Sequence, residues 1–306
     1  MNLRLYSIDG PVDAIPAPTA VTIGVFDGVH RGHQALISQL STFDRQLSTL
    51  VVSLTSHPSF VLGRRDSEYW LDDPDEHLRL LFAAGVDYVA AMPFSPDVAS
   101  LSACSLARLL YDRLAMRALL MGYDSRFGSR SDDDFDRLPQ LAGSLGFDLR
   151  RGDPFLVDGA PISSSRIRQS LLDGDVLSTA ALLGRPYSLS GRVVHGRGVG
   201  HTLGFPTANV DISLSRKMRP VEGVYAVSLV LDASPQTVLR GMANLGPMPT
   251  FGVDRPTLEV HLLDYSGDLY GQHVTVLFRR RLRDTMRFQS PDDLRRQLQL
   301  DLVNCR

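Results

Sequence analysis

Lysine is nearly absent. Lys217 is the only one in 306 residues, and arginine supplies the rest of the positive charge. Phosphate chemistry that depends on a lysine must therefore use Lys217 or proceed without one. Cysteine is scarce as well. Cys104 and Cys305 lie far apart and neither belongs to a CxxC pair, which argues against a disulfide framework and against a thiolate zinc site. No window reaches the ~18 uninterrupted apolar residues of a membrane span. The opening stretch Met1–Asp9 has no basic segment leading into an apolar core, so the expectation is a cytoplasmic protein without a membrane partner. A net charge of −2 supplies no global positive field, and nucleic acid is not an expected partner.

What is present is ordinary for a globular chain: 43% hydrophobic and 22% charged residues, enough apolar surface for two cores. At roughly 150 residues per domain the length predicts two domains. Residues 1–184 alternate short apolar runs (Val21–Phe26, Thr49–Leu54, Tyr88–Pro93, Ala118–Gly122, Phe147–Arg150) with segments of helical spacing (Gly32–Leu40, Glu76–Ala84, Ser105–Met116, Phe135–Leu145). That alternation predicts an α/β domain with a doubly wound parallel sheet, closed by helical patterning over Ser163–Leu183. After Gly184-Arg185-Pro186 the period changes. Residues 185–306 read as an antiparallel β-barrel with strands at Tyr187–His195, Gly223–Leu231, Val238–Ala243, Thr257–Leu263 and His273–Phe278, then a terminal helix over Pro291–Val303.

The most informative segment joins the first strand to a glycine-rich turn: Gly24-Val-Phe-Asp-Gly-Val-His-Arg-Gly-His33. His30 and His33 fall at a helix N-terminus, where unpaired N–H groups and the positive dipole end favour anions. Glycines there let a phosphate approach the backbone, and imidazoles can donate to charge developing on a phosphate under attack. The segment resembles the HxGH signature of the nucleotidylyltransferase superfamily in its prokaryotic FAD synthetase form. Ser56-His57-Pro58, Gly122-Tyr-Asp-Ser-Arg-Phe-Gly128 and Ile162-Ser-Ser-Ser-Arg-Ile-Arg168 resemble three further blocks of that family, in order. The resemblance implies that His30 and His33 stabilise the transferring phosphoryl group. It also implies that Gly24, Phe26, Asp27 and Gly32 shape the ATP turn, and that Ser164, Ser165, Arg166 and Arg168 hold the triphosphate. His57 and Asp124 would lie on the flavin or nucleotide side. Leu54, Ser56, Ser125 and Pro161 depart from the family pattern around the flavin pocket.

The second half opens with Gly191-Arg-Val-Val-His-Gly-Arg-Gly-Val-Gly-His-Thr-Leu-Gly-Phe-Pro-Thr-Ala-Asn209, glycine-rich but without the GK[ST] of a P-loop. Thr207 and Asn209 offer neutral oxygens suited to Mg²⁺ that also takes oxygens from ATP. Gly204-Phe-Pro-Thr-Ala-Asn209 resembles the GFPTAN motif of riboflavin kinases. The blocks at Pro220–Tyr225, Gly241–Thr250, Glu259–Asp264, Asp268–Gly271 and Leu282–Phe288 resemble the rest of that domain; His201 and Met248 depart from common arginines. The resemblance implies that Glu259 is the general base, that Gly196, Gly198, Gly200, Gly204 and Pro206 shape the ATP site, and that Asn244 and Arg283 contact flavin. Taken together, the halves resemble the bifunctional bacterial riboflavin kinase/FAD synthetase family. That family phosphorylates riboflavin to FMN and adenylylates FMN to FAD and pyrophosphate, with ATP as co-substrate and Mg²⁺ as cofactor. A riboflavin kinase whose first half has lost FMN recognition is the alternative, and a flavin- or nucleotide-binding module, even an RNA-binding barrel, without turnover is the third reading. Oligomeric state is left open between monomer and weak self-association.

Overall fold

A computed structural model describes residues 5–7, 18–63, 69–125, 127–129, 136–196, 200, 203–247 and 256–305. The chain divides into two compact units, Met1–Ser164 and Ser165–Arg306. The first is built on six parallel strands: β1 (Leu5–Ser7), β2 (Thr19–Gly24), β3 (Ser48–Leu54), β4 (Tyr88–Met92), β5 (Met116–Met121) and β6 (Asp148–Arg151). Their order is β1-β4-β3-β2-β5-β6, so the winding reverses at β2, with β3 on one side and β5 on the other. Helices α1 (Arg31–Leu40), α2 (Pro58–Val61), α3 (Pro74–Ala83), α4 (Pro96–Ser100), α5 (Ala103–Leu114) and α6 (Leu138–Leu145) lie between the strands in sequence, and a small hairpin β7 (Leu156–Val157)–β8 (Ala160–Pro161) follows.

Alternation along β3 shows why this sheet is covered on both faces. Leu50 and Val52 join one buried cluster with Leu110 and Leu114 of α5, whereas Val51 joins another with Ile37 of α1 and Leu81 of α3. The doubly wound expectation is thus met, and in such sheets ligands bind where the winding reverses, at the carboxyl ends of the strands. That point lies beyond β2 and β5. The helix boundaries follow local chemistry: Ser102 caps α5 by accepting the Ser105 N–H at 3.1 Å, and Gly85 takes the positive φ of +96° after α3. Phe135, the expected start of α6, lies outside the described residues.

The helical stretch expected over Ser163–Leu183 is two helices, α7 (Ser164–Leu172) and α8 (Val176–Leu183). Gly174 adopts φ +74° between them, and Asp175 starts the second by accepting the Ser178 N–H at 2.9 Å. Six antiparallel strands then close a barrel in the order β10-β13-β12-β11-β14-β9. They are β9 (Ser188–Val194), β10 (Ala208–Asp211), β11 (Gly223–Leu231), β12 (Ser234–Pro247), β13 (Pro256–Leu262) and β14 (His273–Arg283). Inside, Tyr225 and Phe278 meet edge to face at 5.2 Å amid fully buried Leu189, Leu258, Val260 and Val276.

The terminal helix α9 (Pro291–Cys305) is fastened to β14 by one buried pair. Arg283 donates from Nε and Nη2 to Asp301 at 3.0 and 2.7 Å, and Gln297 adds a third donor at 2.9 Å. Asp301 is 1% exposed. Asp301→Ala strands the guanidinium, and an uncompensated buried charge of this kind costs about 3–5 kcal/mol. The expected result is a marked fall in the denaturation midpoint of the barrel unit, read by urea unfolding.

Candidate active sites

The turn after β2 is shaped by backbone that side chains rarely adopt: φ is +52° at Phe26, +81° at Gly28 and +35° at Val29. Two carboxylates hold it. Asp27 Oδ1 accepts the Leu71 N–H at 2.7 Å, and Asp72 Oδ2 accepts the Gly28 N–H at 3.1 Å. The turn delivers His30 as the N-cap of α1, where its Nδ1 accepts the His33 N–H at 3.2 Å. An imidazole nitrogen that accepts carries no proton, so in a neutral His30 ring the proton is on Nε2. The His30 and His33 rings stack with centroids 3.5 Å apart, and Phe26 lies 5.1 Å from His33. Burial, then the neighbouring His30 and His77, push the His33 pKa well below the ordinary histidine value. His33 is therefore a neutral ring at neutral pH, able to donate a hydrogen bond without bringing a full charge to the turn.

The other residues expected here lie as follows. Ser164, at the start of α7, donates to the Asp27 carbonyl at 3.1 Å, a tie between Ser164 and the histidine turn. Ser165, Arg166 and Arg168 continue along α7, with Arg168 buried. Asp124 follows β5 in a turn closed by Ser125 N–H to the Gly122 carbonyl at 3.1 Å. It raises the Tyr123 pKa, second to burial. His57 caps α2 by accepting the Ser59 N–H at 3.2 Å and meets Trp70 edge-on at 5.9 Å. Trp70, Asp72, Ser53 and His77 were not singled out by sequence. Trp70, the sole tryptophan, was the one whose rarity offered a signal.

In the barrel, register brings three expected residues into one row. Asn209 on β10 pairs with Glu259 on β13, and Glu259 pairs with Asn244 on β12. Directly paired residues share a sheet face, so the candidate metal ligand, base and flavin contact are cross-strand neighbours. Gly196 leaves room for this row: a Cβ there would stand 2.2 Å from Asn209 Nδ2. Gly196→Ala is therefore expected to displace the Asn209 amide and lower FMN formation roughly tenfold or more. FAD formation from supplied FMN should be unchanged in the same preparation.

The turn before β10 is fastened by Phe205 N–H to the Gly200 carbonyl at 2.8 Å, by φ +83° at Gly204, and by His261 Nδ1 at 2.8 Å from the Pro206 carbonyl. Pro206 and Thr207 line a cleft of about 410 Å³ with Val193, Val260, Tyr265 and Tyr270. Gly198, together with His201 and Met248, lies outside the described residues. Arg283 is committed to Asp301 and, through Nη1, to the Asp284 carbonyl at 2.9 Å. Lys217 is buried, with Nζ 4.9 Å from the centre of the Tyr187 ring and 3.4 Å from Ser188 Oγ. Among the described residues no three His, Cys, Asp or Glu side chains converge as a metal cage. The oxygens of Thr207 and Asn209 fit a hard cation that takes its remaining ligands from a nucleotide.

A turn at a helix end in one unit and a glycine-rich turn in the other fit a transferase with two centres. The family model for FAD synthetase matches residues 12–166 and that for riboflavin kinase residues 183–306. Bifunctional riboflavin kinase/FMN adenylyltransferases are 41% identical over 290 residues in Escherichia coli K12, covering 94% of this chain and 91% of that protein. The Haemophilus influenzae protein is 36% identical over 286 residues, covering 92% of each chain. A crystal structure of a macrolide-efflux protein from Streptococcus pneumoniae superposes with a TM-score of 0.87 at 31% identity over 98% of both chains. Its described role is that protein's own, and the likeness bears here on architecture. The chain belongs to the bifunctional riboflavin kinase/FMN adenylyltransferase family. It is an enzyme that phosphorylates riboflavin to FMN and adenylylates FMN to FAD. Among the described residues no helix is long and apolar enough to cross a membrane.

Proposed function

We propose that residues 185–306 carry out the kinase step through the Asn209–Glu259–Asn244 row, and that residues 1–184 carry out adenylyl transfer at the His30–His33 helix end. The row is the observation that carries the first assignment. Glu259 takes the proton of the ribityl hydroxyl as that oxygen attacks the γ-phosphorus of ATP, Asn244 orients the flavin, and Thr207 and Asn209 would hold Mg²⁺ together with the nucleotide. When bound, the ion draws charge from the phosphates. Gly196, Gly198, Gly200, Gly204 and Pro206 shape the ATP site. Arg283 supports it through its tie to α9 and contributes its remaining donors to flavin or phosphate.

In the first unit the phosphate of FMN attacks the α-phosphorus of ATP, and pyrophosphate leaves. His30 and His33 donate to the charge that develops there, with Gly24, Phe26, Asp27 and Gly32 shaping the turn. Ser164, Ser165, Arg166 and Arg168 hold the departing phosphates from the start of α7. His57 and Asp124, beyond the two strands β3 and β5 that flank β2, face the flavin side. Both reactions draw on ATP, which supports assignment to the cytoplasm. The test is chromatography of the flavins formed from riboflavin, ATP and Mg²⁺, and separately from FMN, ATP and Mg²⁺. FAD in both mixtures is the expected result; FMN accumulating in the first with FAD in neither would overturn the adenylyl-transfer assignment.

A further inference from the structure

Behind the histidine turn lies a buried polar chain that neither phosphoryl transfer uses directly. Ser53, at the carboxyl end of β3, sits with Oγ 2.9 Å from His77 Nε2. His77 Nδ1 lies 3.1 Å from Asp72 Oδ2, the same oxygen that accepts the Gly28 N–H at 3.1 Å. Ser53 and Asp72 are buried, and the His77 side chain is 14% exposed. Asp72 Oδ1 is buried with no hydrogen-bond partner among the described residues, which leaves His77 and Gly28 as the groups compensating this carboxylate. The next residue back, Leu71, is bonded to Asp27 on the same turn. The geometry is that of a Ser–His–Asp chain, but Ser53 is 5% exposed and lies within a strand inside the sheet, so it is not placed as a nucleophile.

We propose that His77 is a positioning residue for adenylyl transfer: held between Ser53 and Asp72, it keeps Asp72 clamped on the Gly28 N–H and so holds the turn that presents His30 and His33. The proposal rests on the phosphate-handling reading of those two histidines. A turn with positive φ at Phe26, Gly28 and Val29 persists only where surrounding bonds over-determine it, and Asp72 supplies one of them. His77 also acts on His33 through space. The titratable groups facing this chain are Asp72 from the loop before α3 and His33, itself stacked on His30, from α1; β3 contributes the Ser53 hydroxyl. Loss of the ionisable ring at 77 removes one influence that keeps His33 from taking a proton, so His33 protonates at higher pH.

The test uses the full chain with His77→Leu and His77→Gln, measuring FAD formation from FMN across pH 5.5 to 9 and riboflavin phosphorylation on the same preparations. His77→Leu is expected to lower kcat for FAD formation roughly tenfold or more, with KM for FMN and ATP nearly unchanged, because the turn loses its hold. The glutamine amide offers a donor to Asp72 and an acceptor to Ser53. His77→Gln is therefore expected to recover most of the rate while its acid limb lies at higher pH than in the parent. Kinase activity should be unchanged in both. If His77→Leu fails to fold, His77→Gln decides alone. An acid limb and a rate identical to the parent in His77→Gln overturn the proposal, as does full activity in His77→Leu. His30→Asn retaining FAD formation would instead overturn the underlying reading of the histidines.

Discussion

Glu259→Gln is expected to leave FAD formation from supplied FMN intact while reducing FMN formation by about 10²–10⁴-fold, the usual contribution of a positioned general base. The amide is nearly isosteric and keeps the place of residue 259 in β13, between Asn209 and Asn244. Only the ability to take a proton is lost. Flavin chromatography with riboflavin and ATP should show riboflavin persisting, and adding FMN to the same mixture should restore FAD. A kinase rate within a few-fold of the parent would remove Glu259 from the role of base. Loss of both activities would mean that the substitution had spread beyond the barrel.

His30→Asn should do the reverse. Asparagine is a strong N-cap and can still accept the His33 N–H, so α1 keeps its start while the Nε2 donor and the stacked ring disappear. Removing one preorganised donor to a developing oxyanion costs about 10²–10³-fold in rate. The expected outcome is FMN accumulating from riboflavin with little FAD. Alanine at the same position confounds capping with chemistry, by about 1 kcal/mol of helix stability. Near-parental FAD formation in His30→Asn would overturn the phosphate-handling reading of the histidine turn.

Much of this was legible in sequence because it is local. A strand, a glycine turn and a helix cap are written in consecutive residues, so the Gly24–His33 turn was recognisable before its φ angles were known. The Asn209–Glu259–Asn244 row was legible one residue at a time; that the three align needed the register of β10, β13 and β12. Edges were harder. The alternation over Val238–Ala243 marks only the middle of β12, which runs over Ser234–Pro247: Ser234, Gln236 and Thr237 at its start are polar and carry no hydrophobic period, and at its far end only Leu245 is a large buried side chain. The helical pattern through Ser163–Leu183 hid a break, since apolar spacing resumes after Gly174.

The Ser53–His77–Asp72 chain was not legible at all. Asp72 stands just before the N-cap Asp73 of a proline-started helix, where acidic residues are expected, and His77 sits inside that helix like any polar position. Only the approach of β3 and the β2 turn gives them partners 24 and 44 residues away. The residues 165–184 occupied by α7 and α8 are a similar case. Sequence pattern groups them with the first half, the compact units divide between Ser164 and Ser165, and the two family matches stop at 166 and resume at 183. The Val221 N–H reaches the Leu171 carbonyl at 2.9 Å, a bond within the second unit that no period announces.

The burial of Lys217 reaches beyond catalysis. With its one side-chain amine packed beside Tyr187 and Ser188, the folded protein presents no lysine to acetyltransferases, ubiquitin ligases or amine-reactive labels. Acylation at that position has to wait for the barrel to open, so its rate would report local unfolding of the kinase unit in the way that a slow amide proton does.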